Sequence, residues 1–175
     1  IIKSVDEIVS EMPHIRADGY VFSQNPIEFE DIYEFCRKKC IELCKDENLY
    51  FDISYLHKWI SRLRSEPNQP GAKDVDFGKP VYHNHKLMAI RAQKNIPLYS
   101  FAYYVQMPDN LLNLDGYILF KDNSECVLEY LPKENEILIF KSDVWHAPIY
   151  AKNSSKNRIV LAADFIISNN FIFLI

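Results

Sequence analysis

The second half of the chain is a series of short apolar runs separated by polar breaks. Between residues 81 and 167, stretches rich in Val, Ile, Leu, Tyr and Phe alternate with breaks such as Pro108-Asp109-Asn110 and Asp115-Gly116. Runs of this composition predict β-strands, and the breaks predict turns. Strands are predicted at Leu87–Ala92, Tyr99–Met107, Tyr117–Phe120, Cys126–Tyr130, Glu136–Phe140, His146–Tyr150 and Arg158–Ile167. This series indicates a mostly β fold, a barrel or sandwich of antiparallel strands.

The first third of the chain predicts two helices, which would cover one outer face of these strands. Ser4 and Glu7 form a capping box, which predicts a short helix ending near Met12. Asn25 is a typical N-cap, and the apolar spacing after it predicts a helix over about 26–46. Three cysteines lie on one face of this helix and predict a buried apolar stripe: Cys36, Cys40 and Cys44.

The segment between this helix and the strand-rich half has two parts. Residues 50–64 fit both a helical and a strand period, and we predict a strand at least for Lys58–Arg64. Residues 65–80 contain three Pro and two Gly and predict a long loop, which would be a natural lid over a site. We therefore divide a single domain, 1–175, into a support region at 1–64, this loop, and a core at 81–167.

Composition excludes several classes of protein. A chain of 175 residues with 48% hydrophobic residues suits one globular domain. The net charge is −4 and no basic block is present, so no nucleic-acid partner is expected. No apolar run is long enough to span a membrane, and no membrane partner is expected. The four cysteines show no disulfide framework, and no secretory leader is visible, so we expect a cytoplasmic location.

Three of the five histidines have a spacing that suits metal binding. His83 and His85 are separated by one residue, so on a strand both imidazoles would point to the same face. His146 would supply a third ligand from a later strand. Imidazole nitrogen suits Fe, Zn, Cu and Ni. The alternative is a pair of surface histidines and one buried histidine beside Trp145; His14 and His57 are expected to have no metal role.

Arg158 opens the last apolar strand, twelve residues after His146. A guanidinium group can bind a carboxylate through two parallel hydrogen bonds. An arginine at the start of an apolar strand either faces solvent or faces inward for such a purpose. A histidine and an inward arginine on neighbouring strands predict a site that holds a metal ion and a carboxylate together.

The strand-rich half resembles the iron(II)- and 2-oxoglutarate-dependent oxygenases, and within them the prolyl-hydroxylase-like branch with its small phage and bacterial relatives. The resemblance covers residues 81–167. It rests on five segments in order: YHNH (82–85), YSFAYYVQMP (99–108), DGYILFKD (115–122), LPKENEILIFKSDVWHAP (131–148) and RIVLAADF (158–165). It implies a double-stranded β-helix core of the jelly-roll or cupin-like kind, with the two N-terminal helices packed on one sheet. One departure is Asn135, where the family has Gly, although Asn tolerates the left-handed conformation.

The resemblance also implies roles for individual residues. His83 and His146 would be iron ligands, and His85 stands where most members have Asp or Glu. Arg158 would bind the far carboxylate of 2-oxoglutarate, and Tyr104 would add a hydrogen bond to it, unless Tyr104 is only a core aromatic. The implied activity is a dioxygenase, a hydroxylase that uses Fe(II), 2-oxoglutarate and O₂ on a small-molecule or peptidyl substrate.

Three alternatives remain open at this point. If Leu87–Ala92 were the strand before the metal motif, Gln93 and Asn95 would occupy the ligand positions and the site would hold no metal. A non-catalytic binding or structural module would leave His83 remote from His146. A cupin-type three-histidine metalloenzyme without 2-oxoglutarate would bring the histidines together but turn Arg158 elsewhere.

Overall fold

The computed structural model describes residues 15–17, 20–24, 29–44, 51–63, 80–122, 125–151 and 154–169. Within them the chain is mostly β, with two helices. The helices are α1 (Glu30–Cys44) and α2 (His85–Arg91). The strands are β1 (Ile15–Ala17), β2 (Tyr20–Gln24), β3 (Phe51–Leu63), β4 (Tyr99–Gln106), β5 (Ile118–Asp122), β6 (Glu125–Tyr130), β7 (Ile137–Lys141), β8 (Trp145–Pro148) and β9 (Arg158–Asn169).

The strands form two antiparallel sheets. The large sheet has the order β1-β2-β3-β9-β4-β7, and the small sheet has the order β6-β5-β8. From β4 onward the chain passes repeatedly between the two sheets, because β5, β6 and β8 lie in the small sheet while β7 and β9 return to the large one. The prediction of an antiparallel, mostly β fold is confirmed.

The last strand lies between two others in the large sheet. β9 pairs with β3 from Leu63↔Arg158 to Phe51↔Asn169, and with β4 from Gln106↔Ile159 to Tyr99↔Phe165. The β3 pairing has a bulge between Tyr55 and His57. The strand predicted within residues 50–64 is confirmed by β3, whose partner β9 lies about a hundred residues further along the chain.

Alternation along β9 separates two packing faces. Ile159, Leu161, Ala163 and Phe165 belong to one apolar cluster, together with Phe101 and Ile60 from the neighbouring strands. The other face of the same strands carries a smaller cluster that includes Val160, Ala162, Ala102 and Tyr104. The larger cluster supports the sheet from outside, and the smaller one belongs to the face that carries the candidate site.

Helix α1 covers the outer face of the large sheet. Its buried side chains recur at helical spacing, namely Phe29, Tyr33, Cys36 and Cys40. The Tyr33 hydroxyl donates to the carbonyl of Trp59 at 2.5 Å and contacts that of Ala162 at 3.3 Å, which fixes the helix on β3 and β9. The predicted helix and the burial of Cys36 and Cys40 are confirmed. The predicted helix that ends near Met12, most of the loop at 65–80 and the Cys44 side chain lie outside the described residues.

The strand predicted at Leu87–Ala92 is wrong, because these residues belong to helix α2. Asn84 is its N-cap, with its side-chain oxygen accepting from the Leu87 backbone N–H at 2.7 Å. Lys86, Leu87, Met88 and Ala89 are good helix formers, so the short segment continues as a helix once it is capped. The alternative that placed Gln93 and Asn95 at ligand positions depended on that strand and fails with it.

Two turns follow the sequence predictions. Gly116 has φ 79°, and a Cβ there would lie 3.1 Å from a Leu111 side-chain carbon, so the turn after Asp115 needs glycine. Asn135 has φ 66° and adopts the left-handed conformation expected of it. Its backbone N–H donates to the Tyr104 carbonyl at 2.8 Å, which joins the turn before β7 to β4.

Truncation of the large core cluster should have a large cost. Phe101 is 1% exposed, and Phe101→Ala should lower the free energy of unfolding by about 3–5 kcal/mol through lost transfer energy and the remaining cavity. Leu128, on β6, is 50% exposed, and the matched change Leu128→Ala should cost no more than about 0.5 kcal/mol. Urea denaturation of both variants measures the difference. Equal losses would contradict this assignment of the core.

Candidate metal centre

His146 lies on β8, which is an edge strand of the small sheet. It lies opposite Phe120 of β5, and its ring also contacts the ring of Phe140 at a centroid distance of 4.8 Å. A short antiparallel bridge adds His83 to this edge, with reciprocal backbone hydrogen bonds to His146 of 2.9 and 3.0 Å. The two residues therefore come together through backbone pairing and not only through their side chains.

The residues next to this bridge hold it in register. Lys121 lies over the Tyr82 ring at 4.3 Å and over the Trp145 ring at 5.5 Å. Such cation–π contacts contribute about 0.5–1 kcal/mol each at partly exposed sites. Tyr82 and Trp145 directly precede His83 and His146, so Lys121 connects the segments that carry both histidines.

His85 reaches the same place by a different route from the one predicted. The sequence interpretation put His83 and His85 on one strand with a shared face, and this is wrong. His83 forms the bridge, whereas His85 is the first residue of α2, directly after its N-cap Asn84. The N–H of Lys86 donates to the Ser142 carbonyl at 3.0 Å, which places the start of the helix beside the turn between β7 and β8. Although His83 lies in the bridge and His85 in the helix, both imidazoles lie next to that of His146.

The three imidazoles form one compact cluster. One ring nitrogen from each of His83, His85 and His146 lies within 4.8 Å of the others. The ring centroids are separated by 4.3 Å for His83 and His146, 5.0 Å for His85 and His146, and 5.5 Å for His83 and His85. His146 is only 5% exposed and His85 is also buried. Three imidazole nitrogens that converge in a partly buried place can hold a transition-metal ion.

Each ring is also held from behind. His146 Nδ1 lies 3.1 Å from the Val144 carbonyl, His85 Nδ1 lies 2.6 Å from a carboxylate oxygen of Asp164, and the His83 ring hydrogen-bonds to the backbone of Val81. Histidines that bind metals almost always donate their second ring nitrogen to a carbonyl or carboxylate. Each histidine of the cluster has such a contact, as a metal ligand commonly does.

Burial keeps two of the rings neutral. Burial, together with the neighbouring His85, lowers the pKa of His83 from its ordinary value of 6.5 to about 4. Burial also lowers the pKa of His146 well below its ordinary value, and His83 and His85 lower it further. A neutral imidazole keeps the lone pair that binds a metal ion, so these ligands are ready at neutral pH.

Arg158 is buried at the start of β9, which corresponds to the inward one of the two orientations that the sequence left open. It is 6% exposed, and its guanidinium carbon lies 5.7 Å from the centre of the Tyr104 ring. Its Nη1 reaches the Tyr117 carbonyl at 3.4 Å, while its buried Nε has no hydrogen-bond partner within the described residues. No carboxylate of the described chain pairs with it. A buried cation with an unused donor fits an anionic ligand, because an unpaired buried charge is costly.

Tyr104 lies fully buried beside this arginine. Burial raises the pKa of its hydroxyl to about 12, although Arg158 opposes the shift. Its phenol therefore stays protonated and can donate a hydrogen bond. The positive charge of Arg158 also contributes to the lowered pKa of His146, so the arginine acts electrostatically on the histidine cluster.

A cavity of about 710 Å³ opens beside two of the histidines. His83, His85 and Asp164 line it, and the stacked rings of His57 and Trp59, 5.2 Å apart, form part of its wall. Arg158 and Tyr104 are not among its lining residues. The histidine cluster thus has the cavity on one side and a separate buried cation on another.

Sequence reasoning missed Asp164 and expected no role for His57. Asp164 accepts hydrogen bonds from His85 and from the Ser100 hydroxyl. A signal was present, because Asp164 is the one charged residue after Arg158 in this apolar strand and lies six positions after it. On a strand, even spacing places both side chains on one face.

Comparison with known proteins gives a likeness in fold. No family model matches this chain, and no curated protein matches it in sequence. Among solved structures, an oxidoreductase of the 2OG-Fe(II) oxygenase family from Burkholderia pseudomallei superposes with a TM-score of 0.58 at 10% identity, over 92% of this chain and 75% of that one. The two proteins share a fold. The resemblance drawn from the sequence is confirmed at that level.

A second solved structure, IDO from Bacillus thuringiensis, has a TM-score of 0.46 at 16% identity. It covers 81% of this chain and 56% of its own length, and we draw no argument from it. In the described part of the chain, neither helix has the length and apolar character needed to cross a membrane.

The N-cap of α2 should be worth a measurable amount of stability. Asn84→Ala removes the side-chain acceptor for the Leu87 N–H and should lower the free energy of unfolding by about 1 kcal/mol, whereas Asn84→Ser keeps an acceptor and should cost less. Urea denaturation with circular dichroism measures both. Equal stability of Asn84→Ala and wild type would contradict the capping role.

The metal-free protein should become less stable in acid. The folded-state pKa of His83 is about 4 and its ordinary value is 6.5, so between these values the unfolded chain binds more protons than the folded chain. The free energy of unfolding should therefore fall as the pH decreases from 6.5 toward 4. Below pH 4, His83 should cause no further decrease. His83→Gln should show a shallower dependence in urea titrations across this window. An identical slope in the variant would refute the contribution.

Proposed function

We propose that this protein is an Fe(II)- and 2-oxoglutarate-dependent dioxygenase, a hydroxylase, built on a double-stranded β-helix core. The observation that carries the proposal is the convergence of His83, His85 and His146 beside a buried arginine that pairs with no carboxylate in the described part of the chain. The shared fold with a 2OG-Fe(II) oxygenase-family protein supports it. The repeated passage of the chain between two antiparallel sheets supports the proposed core.

The three histidines would hold the iron. Asp164 holds Nδ1 of His85, the Val144 carbonyl holds Nδ1 of His146, and the Val81 backbone holds the His83 ring, so one nitrogen of each ring would remain for the ion. Three protein ligands leave further coordination positions open for a co-substrate and O₂. Iron(II), when bound, would supply the oxidation of a substrate C–H bond coupled to the decarboxylation of 2-oxoglutarate.

Arg158 and Tyr104 would bind the far carboxylate of 2-oxoglutarate. A guanidinium and a protonated phenol are both donors, and both are buried on the face of the large sheet toward the small one. Burial strengthens such charge-assisted hydrogen bonds because water does not compete for them. A cupin-type enzyme without 2-oxoglutarate would have no need for this pair.

The cavity beside His83 and His85 would receive the substrate. Its wall contains the Trp59 and His57 rings, which can contact an apolar or planar group and exclude water. We propose a small-molecule or peptidyl substrate, with no nucleic acid or membrane as partner. The free, buried thiol of Cys36 supports the proposal of a cytoplasmic location.

The deciding experiment measures succinate formed from 2-oxoglutarate with Fe(II) under O₂. Uncoupled turnover without a prime substrate suffices as a first readout, together with iron binding. His146→Ala should abolish both, because it removes one of three ligands. A wild-type protein that binds no metal would favour a non-catalytic module. Metal binding without 2-oxoglutarate binding or turnover would favour the three-histidine metalloenzyme.

The co-substrate site has its own test. Arg158→Gln should raise the apparent Kd for 2-oxoglutarate at least about tenfold, since a lost charge-assisted hydrogen bond costs about 1.5–3 kcal/mol. Arg91→Gln makes the same change on the exposed end of α2 and should leave this Kd unchanged. Calorimetric titration of 2-oxoglutarate into the metal-loaded protein measures both. Equal affinities for the two variants would exclude Arg158 as the carboxylate ligand.

A further inference from the structure

A partly buried carboxylate, that of Asp164, is hydrogen-bonded to one member of the histidine cluster. Asp164 Oδ1 is 2.6 Å from His85 Nδ1 and 2.6 Å from the Ser100 hydroxyl, and His85 Nδ1 is 2.8 Å from the same hydroxyl. Ser100 is fully buried, and the side chains of His85 and Asp164 are 10% and 15% exposed. The three groups form a closed triangle inside the protein.

The geometry of the triangle determines where the proton of His85 lies. A nitrogen and a carboxylate oxygen at 2.6 Å repel each other unless a proton lies between them. The Ser100 hydroxyl has one proton, and it is donated to Asp164. The proton between His85 and Asp164 therefore belongs to Nδ1, which leaves the lone pair on Nε2.

Three elements must be in place for this contact. Ser100 on β4 and Asp164 on β9 are direct partners in the large sheet, and His85 begins α2. The α2 cap at Asn84 sets the position of His85, and the sheet pairing sets the other two residues. The carboxylate is thus fixed by the same strand that carries Arg158.

The charges around the histidine cluster indicate what the Asp164 carboxylate would contribute to it. Three imidazole ligands bring no negative charge to a metal ion, and Arg158 adds positive charge nearby. A carboxylate hydrogen-bonded to a ligand imidazole increases the basicity of that ligand and fixes its ring. Asp164 is the carboxylate that touches the cluster, one hydrogen bond from the proposed ion.

We propose that Asp164, held by Ser100, is a positioning residue of the metal centre: it fixes His85 as the Nδ1–H tautomer and supplies the negative charge that the three-histidine donor set lacks. This inference rests on the proposed function only in that the histidines bind a metal ion. It concerns the affinity for the ion and the state of His85 before the ion binds.

The first test needs no metal. Two-bond ¹⁵N–¹H correlation spectra of the metal-free wild type should show His85 with its proton on Nδ1, assigned by comparison with His85→Gln. Asp164→Ala should lose this pattern, because free imidazole prefers the proton on Nε2. An Nε2–H pattern for His85 in the wild type overturns the proposal.

The second test is calorimetric titration of Co(II), a stable stand-in for Fe(II). Asp164→Ala and the isosteric Asp164→Asn should bind Co(II) about 10–100-fold more weakly than wild type. Asp122→Asn makes the same charge change at an exposed residue and should shift the affinity by no more than about twofold, since solvent and salt screen it. Thermal melts of each variant show that it is folded, and Asp164→Asn carries the test if Asp164→Ala does not fold.

The outcomes separate this inference from the proposed function. Affinities of both Asp164 variants equal to wild type overturn the inference and leave the oxygenase proposal intact. Weaker Co(II) binding by the variants with no succinate formation by the wild type supports the inference and overturns the oxygenase proposal. A wild type that binds no Co(II) overturns both.

Discussion

The antiparallel pairing of β9 between β3 and β4 is the interaction on which the rest of this structure depends. The strand runs from Arg158 to Asn169, pairs with β3 along its whole length, and pairs with β4 over residues 159–165. Its odd-numbered residues pack under helix α1, and its even-numbered residues face the candidate site. The hydrophobic core and the chemical groups are therefore on opposite faces of the same backbone. A shift of one residue in its register would exchange them, so the apolar face determines where Arg158 and Asp164 point.

The three histidines are supported by three kinds of backbone. His146 is part of a strand, His83 forms a bridge, and His85 begins a helix. None of them lies on a free loop, and each ring has a hydrogen bond to a residue outside the cluster. A site made of groups that are fixed in this way loses little conformational entropy when a ligand arrives. The arrangement is pre-organised for an ion by the apo fold itself.

Sequence patterns predicted the elements that are governed by local alternation. The strands predicted at Tyr99–Met107 and Arg158–Ile167 agree with β4 and β9 to within two residues at each end. The helix predicted over about 26–46 is observed as α1 at Glu30–Cys44. Each of these segments has an apolar pattern long enough to detect. Helix α2 was missed because it has only seven residues, and its existence depends on one side chain, Asn84. Short elements of this kind carry no period to detect.

The candidate site was predicted for a reason that was partly wrong. The sequence interpretation placed His83 and His85 on the same face of one strand. In the structure, His83 forms a β-bridge and His85 is the first residue of helix α2. The meeting with His146 and the partnership of Ser100 with Asp164 depend on pairings between distant segments. Such pairings leave no local trace, because the free energy that selects them comes from burial in the finished fold. The spacing of Arg158 and Asp164 was the one local sequence signal for this part of the site. It shows that the two side chains share a face of the strand, which is informative only once that face is known to point inward.

The charges of the site explain why one ligand would suit it. With iron(II) held by neutral histidines, the ion and Arg158 together carry three positive charges, and Asp164 offsets one of them. Two positive charges remain in a partly buried place, where uncompensated charge is costly. A dicarboxylate such as 2-oxoglutarate brings two negative charges, one for the ion and one for Arg158. A monoanion would leave one of these two positive charges uncompensated. Without Asp164 there would be three positive charges, and even a dianion would leave one of them uncompensated. The carboxylate behind His85 therefore makes the proposed complex of metal and co-substrate neutral, which the three histidines alone would not.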